Sequence, residues 1–169
     1  MDAIVYTSNA GHTKEYAELL SAKTELPAYS MEEAGSKLSK ESQIIYMGWL
    51  MAGTIKGLKE AAVKYQIQAV CPVGMTLGGV DRLILAQKNP LPDSMPLFYL
   101  QGGFEIQKLH GLYKFMMNLM RGTVKKNLRK VPNRTEEENE MLSMMTYGAN
   151  LVNENKLDEV LAWFQGLDA

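Results

Sequence analysis

Cysteine and histidine are nearly missing from this chain of 169 residues: one Cys, Cys71, and two His, His12 and His110. A lone cysteine excludes an intramolecular disulfide framework, and the expected compartment is the cytoplasm. With so few soft ligands, no His/Cys/carboxylate cluster has metal-ligand spacing. Cys71 sits within the apolar run Ile67 to Val73. It therefore reads as a small buried residue, not as the loop nucleophile of a cysteine phosphatase. No apolar run is long enough to span a bilayer. The first residues, with Asp2 ahead of a strand-like run, do not form the basic region and apolar helix of a signal segment.

Several motifs are also missing. No Gly-Lys-Ser/Thr occurs, which excludes a nucleotide P-loop, and no Gly-x-Gly-x-x-Gly follows the first apolar run. No Gly-x-Ser-x-Gly elbow supports a Ser/His/Asp hydrolase. The loops after the first and third apolar runs lack the acids of a phosphate-receiver domain. No internal repeat or low-complexity tract is present, and nucleic acid is not expected among the partners.

What remains is a chain of 46% hydrophobic and 22% charged residues, natural for one soluble domain over 1–169 with a two-sided core. Net charge is −1, but unevenly placed. Residues 103–134 hold eight Lys/Arg against Glu105 alone, giving +7. Residues 135–169 hold Lys156 against eight acids, giving −7. Either the two blocks neutralise each other or the protein has one positive face.

Apolar runs alternate with helical patterns. Ala3 to Tyr6, Leu26 to Met31, Ser42 to Gly48, Ile67 to Val73 and Leu97 to Leu100 read as strands, with Pro27 marking the second as an edge. Helices are expected over Lys14 to Lys23, Ile55 to Tyr65 with Thr54 as cap, and Val80 to Lys88. Glu32 to Leu38 is a short helix or loop. Thr135 with Glu138 forms a capping box for a helix reaching Tyr147, and Asn155 with Asp158 repeats that logic for a last helix. This rhythm implies right-handed βαβ units and a parallel sheet. The expected fold is a three-layer αβα sandwich with five parallel strands in order 2-1-3-4-5. Its ligand crevice would then lie at the carboxyl ends of strands one and three.

Three loops meet at that crevice, and all are small, glycine-bearing and poor in acids. The first is Ser8-Asn9-Ala10-Gly11-His12-Thr13, between a strand and a helix whose first N–H groups form an anion pocket. The second is Gly48-Trp49-Leu50-Met51-Ala52-Gly53, and the third is Gly74-Met75-Thr76-Leu77-Gly78-Gly79. A flat neutral ring with a phosphate tail suits such a set.

The first loop resembles the phosphate-binding loop of flavodoxins, Ser/Thr-x-Thr-Gly-x-Thr, with Ala10 in place of one hydroxyl donor. Residues 47–54 are similar to the first flavin loop of that superfamily. Aligned on Gly53, they put Met51 at the usual stacking position. Trp49 either covers an edge of the ring or packs on the following helix. The third loop lacks the tyrosine that many flavodoxins stack on the other face, so Met75 or Leu77 would serve or that face stays open. The Met-rich basic segment after Gly102-Gly103-Phe104 resembles that of the flavodoxin-like, quinone-dependent protoporphyrinogen oxidases.

What the resemblance implies is an FMN-binding oxidoreductase or electron-transfer protein. Ser8 to Thr13, Trp49 to Gly53, Gly74, Met75, Thr76 and Gly78 would hold the cofactor. A redox partner or a small acceptor such as a quinone or porphyrin would receive the electrons. The near-neutral charge favours an enzyme over the acidic electron shuttles. Two other readings stay open: a flavodoxin-fold binding or regulatory module that does not use flavin, and an adaptor peripheral to a membrane. Residues 108–121 are expected to form an amphipathic helix within a basic insertion at about 103–134. Leu109, Leu112, Tyr113, Met116, Leu119 and Met120 follow helical spacing on one side. That stripe is either a lid that touches a quinone, porphyrin or lipid, or core packed on the sheet edge.

Overall fold

A computed structural model describes residues 1–76, 79–109 and 111–167. Its centre is a mostly parallel sheet. The strands are β1 (Ala3–Thr7), β2 (Ala28–Ser30), β3 (Gln43–Met51), β4 (Thr54–Ile55), β5 (Gln66–Gly74) and β6 (Leu100–Gln101). The path is β2-β1-β3-β5-β6, with β4 paired antiparallel to β3 alone. The parallel strands thus follow the expected sequence, but the sheet has six members. The extra one arises because Trp49, Leu50 and Met51 continue β3 beyond Gly48 and fold back as a hairpin. The last strand is also shorter than Leu97 to Leu100 suggests. Leu97 makes one isolated bridge to Val70, and regular pairing starts only where Leu100 meets Val73.

Strand alternation sends side chains to two faces. Ile4, Ile45, Met47, Ala69 and Cys71 meet Tyr16, Ala17 and Leu20 of α1 (His12–Thr24) and Val160 of α7 (Asp158–Gln165). Ala3, Val5, Ile44, Tyr46 and Val70 meet Ala34 of α2 (Met31–Lys37) and Leu58 and Ala61 of α3 (Leu58–Lys64). Cys71 lies in the first core, where burial pushes its thiol up to about 12. Tyr16 spans the layers: its hydroxyl donates to the Gln101 carbonyl at 2.8 Å and accepts from the Asn153 amide at 3.3 Å.

Local departures from the sequence reading have local causes. Thr54 does not cap a helix, because it belongs to β4; α3 starts four residues later, after Gly57. α4 (Arg82–Lys88) begins at Asp81, whose carboxylate accepts from the Leu83 amide at 2.7 Å. Asn153, not Asn155, supplies the side-chain cap near the C-terminus, and it caps a 3₁₀ turn over Glu154–Leu157. The capping box of Thr135 with Glu138 forms as expected and opens α6 (Glu136–Tyr147).

Residues 103–134 leave the sheet at its carboxyl end. β7 (Gly103–Phe104) pairs antiparallel with β8 (Ala149–Asn150), then a 3₁₀ turn over Ile106–Lys108 leads towards α5 (Gly111–Leu128). The helix therefore starts later than residue 108 and runs past 121. A third cluster of Phe104, Met144 and Met145 packs with Met117 and Val124 of α5. No residue of α5 is buried; of the expected stripe, Leu109 alone, which precedes the helix, lies in the core.

Candidate functional site

Residues that fold the sheet also set the shape of its carboxyl edge. The path reverses between β1 and β3, which opens a crevice there. Gly48 is required at this edge. A Cβ on it would lie 2.6 Å from Ile55 Cγ2 and 2.8 Å from the Lys56 carbonyl, so the hairpin could not close. Below it, the Tyr46 hydroxyl donates to the Lys56 carbonyl at 2.6 Å, and the Thr7 hydroxyl donates to the same oxygen at 2.7 Å. These bonds lock the turn that follows β4 onto β1 and β3.

The hairpin turns at Ala52 and Gly53, both with positive φ (49° and 79°), as two-residue hairpin turns demand. It is held from outside by Asn89, which is almost wholly buried. The Asn89 side-chain carbonyl accepts from the Ile55 amide at 2.8 Å. Its NH₂ donates to the carbonyls of Gly53 and Leu85, each at 2.8 Å. Lys88 adds a bond from Nζ to the Ala52 carbonyl at 2.7 Å. In the sequence Asn89-Pro90 signals only a loop; nothing local reveals a side chain with three backbone partners 4 to 36 residues away.

A cavity of about 570 Å³ fills the crevice, within the usual ~300–1,000 Å³ of small-molecule sites. Of the first loop, Ser8, Asn9, Ala10, His12 and Thr13 line it; Gly11 does not. Trp49, Leu50, Met51, Ala52 and Gly53 form a second wall, and Gly74, Met75 and Thr76 a third. Gly78, expected here, lies outside the described residues, as do Leu77 and His110. The sequence reading missed Val80 ahead of α4, Ile84 and Lys88 within it, and Gly102, Phe104 and Glu105. Tyr113, Met116, Met117 and Met120 of α5 close the remaining side. α5 thus borders the crevice, as a lid would.

The loop at 8–13 is arranged for an anion. No side chain caps α1, so its first amides keep free donors. Ser8 Oγ accepts from the Gly11 amide at 3.2 Å, which leaves its hydroxyl hydrogen for a ligand. Asn9 Nδ2 is buried without a hydrogen-bond partner among the described residues. A buried donor left unpaired costs about 1–3 kcal/mol, and an acceptor in the cavity would relieve it. Gly11 has a φ of 99°, the left-handed region that favours glycine, with open space where a Cβ would stand.

Beside this loop His12 is buried, and its Nε2 lies 2.9 Å from Glu105. Lys108 Nζ donates to the same carboxylate oxygen at 2.8 Å. The Lys108 bond, with His12 adding to it, outweighs desolvation and holds the Glu105 carboxyl below its ordinary range. Glu105 was visible in the sequence as the lone acid of a basic block, a signal the motif reading passed over. Its carboxylate ties the inserted segment to the start of α1.

Trp49 reaches across the crevice to α5. Its ring meets Tyr113 edge to face, with centroids 5.1 Å apart. Lys56 Nζ stands 5.9 Å from the Trp49 ring and 5.5 Å from the Tyr113 ring. This cluster joins the hairpin to α5 across the cavity. Among the described residues, no group of three or more His, Cys, Asp or Glu could hold a metal ion.

Compared with protein-family models, curated proteins and solved structures, the chain matches none.

Proposed function

We propose that this protein is a flavodoxin-like, FMN-binding oxidoreductase or electron-transfer protein. The observation that carries the reading is the unpaired, buried Asn9 Nδ2 beside the uncapped start of α1, at one end of a largely apolar cavity. An anionic tail would be met by the amides of α1, Ser8, Thr13 and Asn9. A flat ring would lie between the hairpin, with Met51 and Trp49, and the wall at Gly74 to Thr76. Bound there, FMN would supply the electron transfer. The chain's own part is to fix the ring, exclude water and present backbone dipoles to its polar edge. Met116, Met117 and Met120 leave room on the α5 side for a flat, apolar acceptor such as a quinone or a porphyrin, since methionines adapt to irregular partners.

Two observations favour the second reading, a binding module without flavin. Ala10 brings no hydroxyl to the loop, and the wall at residues 74–76 carries no aromatic ring. The two readings separate on the visible absorbance of freshly purified protein and on calorimetry of the apoprotein. FMN is expected to bind far more tightly than riboflavin, because only its phosphate makes charge-assisted bonds to the loop. Equal affinities, or no heat with either compound, would remove the assignment.

A further inference from the structure

Three of the side chains that line the cavity also remain open to solvent: Ile84 (51% exposed), Met116 (41%) and Met120 (37%). They mark its mouth, Ile84 on α4 and the methionines on α5. Outward from the mouth the apolar surface continues on both helices. Leu83 on α4 is 72% exposed; Leu112, Phe115 and Leu119 on α5 are 69–70% exposed. Leu112, Phe115, Leu119 and Met116 follow helical spacing, so they form one stripe. An apolar collar from two separate elements is far more than scattered surface leucines require.

Next to that stripe, Asn118, Arg121, Lys125 and Arg129 line a groove along α5. None of Lys114, Arg121, Lys125, Lys126 and Arg129 forms a salt bridge among the described residues. Among the described residues no acid of 135–167 forms a salt bridge with them, although α6 packs against α5; Glu138 is engaged in its own capping box. Desolvation first, then Arg121 and Arg129, hold the Lys125 ammonium below its ordinary value, as crowded like charges do.

We infer that the cavity mouth docks on an anionic phospholipid surface, with α5 lying in the interface and Leu83 and Ile84 as a second contact. Charge chooses this occupant. A two-fold dimer would set the +7 segment against its own copy. A lipid surface instead offers acyl chains to the apolar stripe and phosphates to the basic one, the pairing that holds interfacial helices. Among the described residues no helix is long and apolar enough to cross a membrane, so the contact is peripheral. The consequence for the cavity is direct: a molecule dissolved in the lipid enters it without crossing water. The inference does not depend on a flavin being bound.

The test is co-sedimentation of the full chain with phosphatidylcholine vesicles and with vesicles of phosphatidylcholine and phosphatidylserine in equal parts. Binding is expected to the mixed vesicles and to weaken with salt. A variant with Leu112→Ser, Phe115→Ser and Leu119→Ser is expected to partition at least ~10-fold more weakly. None of the three lines the cavity, so its melting curve and its FMN titration stay unchanged. Arg121→Glu with Lys125→Glu should remove the preference for anionic vesicles, each charge contributing roughly fivefold. No binding to mixed vesicles by folded protein would overturn the proposal. So would binding indifferent to both sets of substitutions, or a dimer in sedimentation equilibrium that the triple variant dissolves. Vesicle binding by protein that takes up no FMN would support the docking surface while removing only the cofactor assignment.

Discussion

Replacing Asn89 by alanine tests how the cavity wall is built. The side chain makes three buried hydrogen bonds of 2.8 Å, to the Ile55 amide and to the carbonyls of Gly53 and Leu85. Alanine removes all three and leaves those backbone groups facing a gap. At about 1 kcal/mol per bond the loss is about 3 kcal/mol. For a domain of this size that lowers the melting temperature by roughly 6–12 °C. Chemical denaturation should show the same loss with an unchanged slope, because the surface exposed on unfolding is the same. The variant has a second signature, since Asn89 reaches the ligand wall only through the hairpin. Ala52 and Gly53 lose one of their two outside anchors, and Lys88 alone keeps the turn in place. FMN affinity should therefore fall along with stability, and Asn89→Asp should rescue neither, because a buried carboxylate would face the Gly53 and Leu85 carbonyls that the NH₂ served. A melting temperature within ~1 °C of the parent would refute the reasoning, because it would mean that water or a shifted backbone satisfies all three groups.

Gly48→Ala should destabilise by about 1–3 kcal/mol in urea unfolding, because the added methyl meets Ile55 and the Lys56 carbonyl closer than 3.0 Å. Glu105 has its carboxyl held below the usual 4.5, so its contact with Lys108 and His12 stabilises the fold above that pH and is lost as the pH falls through the lowered value. The gap in melting temperature between the parent and Glu105→Gln should be full at neutral pH and close in acid; a gap constant with pH would count against the link. In protein carrying Trp163→Phe, the remaining Trp49 emission should fall when FMN is added, and unchanged emission would place the ring away from Trp49.

The first loop and its two flanking elements were legible because each residue there does what its type does locally. Ala3 to Tyr6 is apolar and β-branched, and the polar residues from Ser8 onward cannot continue a buried strand. Helix capping at Thr135 was legible for the same reason: the cap and its glutamate lie three residues apart. The hairpin at 52–55 was not. Its turn has no Asn-Gly or Asp-Gly signal, since Ala52 adopts a positive φ that alanine rarely shows. What holds Ala52 there comes from Asn89 and Lys88, more than thirty residues away. The last strand failed in the opposite sense. Leu97 to Leu100 has the composition of a strand, but only Leu100 and Gln101 run on in register with β5.

The stripe on α5 shows where a periodic pattern stops being informative. Spacing predicts that one side of the helix is apolar, and it is. Spacing does not predict which other surface that side meets, because core, ligand and lipid all want the same residues. The structure divides what the sequence presented as one face. Tyr113 and Met117 turn inward, to Trp49 and to the cluster around Phe104, and so fix the helix beside the crevice. Leu112, Phe115 and Leu119 turn away from both. Two anchors on an otherwise exposed helix hold it less firmly than the sheet holds the opposite wall, where β1, β3 and β5 pair with one another around a buried core. The cavity therefore has one rigid side, carrying the anion loop and the hairpin, and one adaptable side. Such a division suits a fixed cofactor on the first and an exchangeable apolar molecule on the second. It also gives a reason for three of the cavity's five methionines, Met116, Met117 and Met120, to stand on the second side: an unbranched thioether can follow a partner whose shape changes, and a β-branched residue cannot.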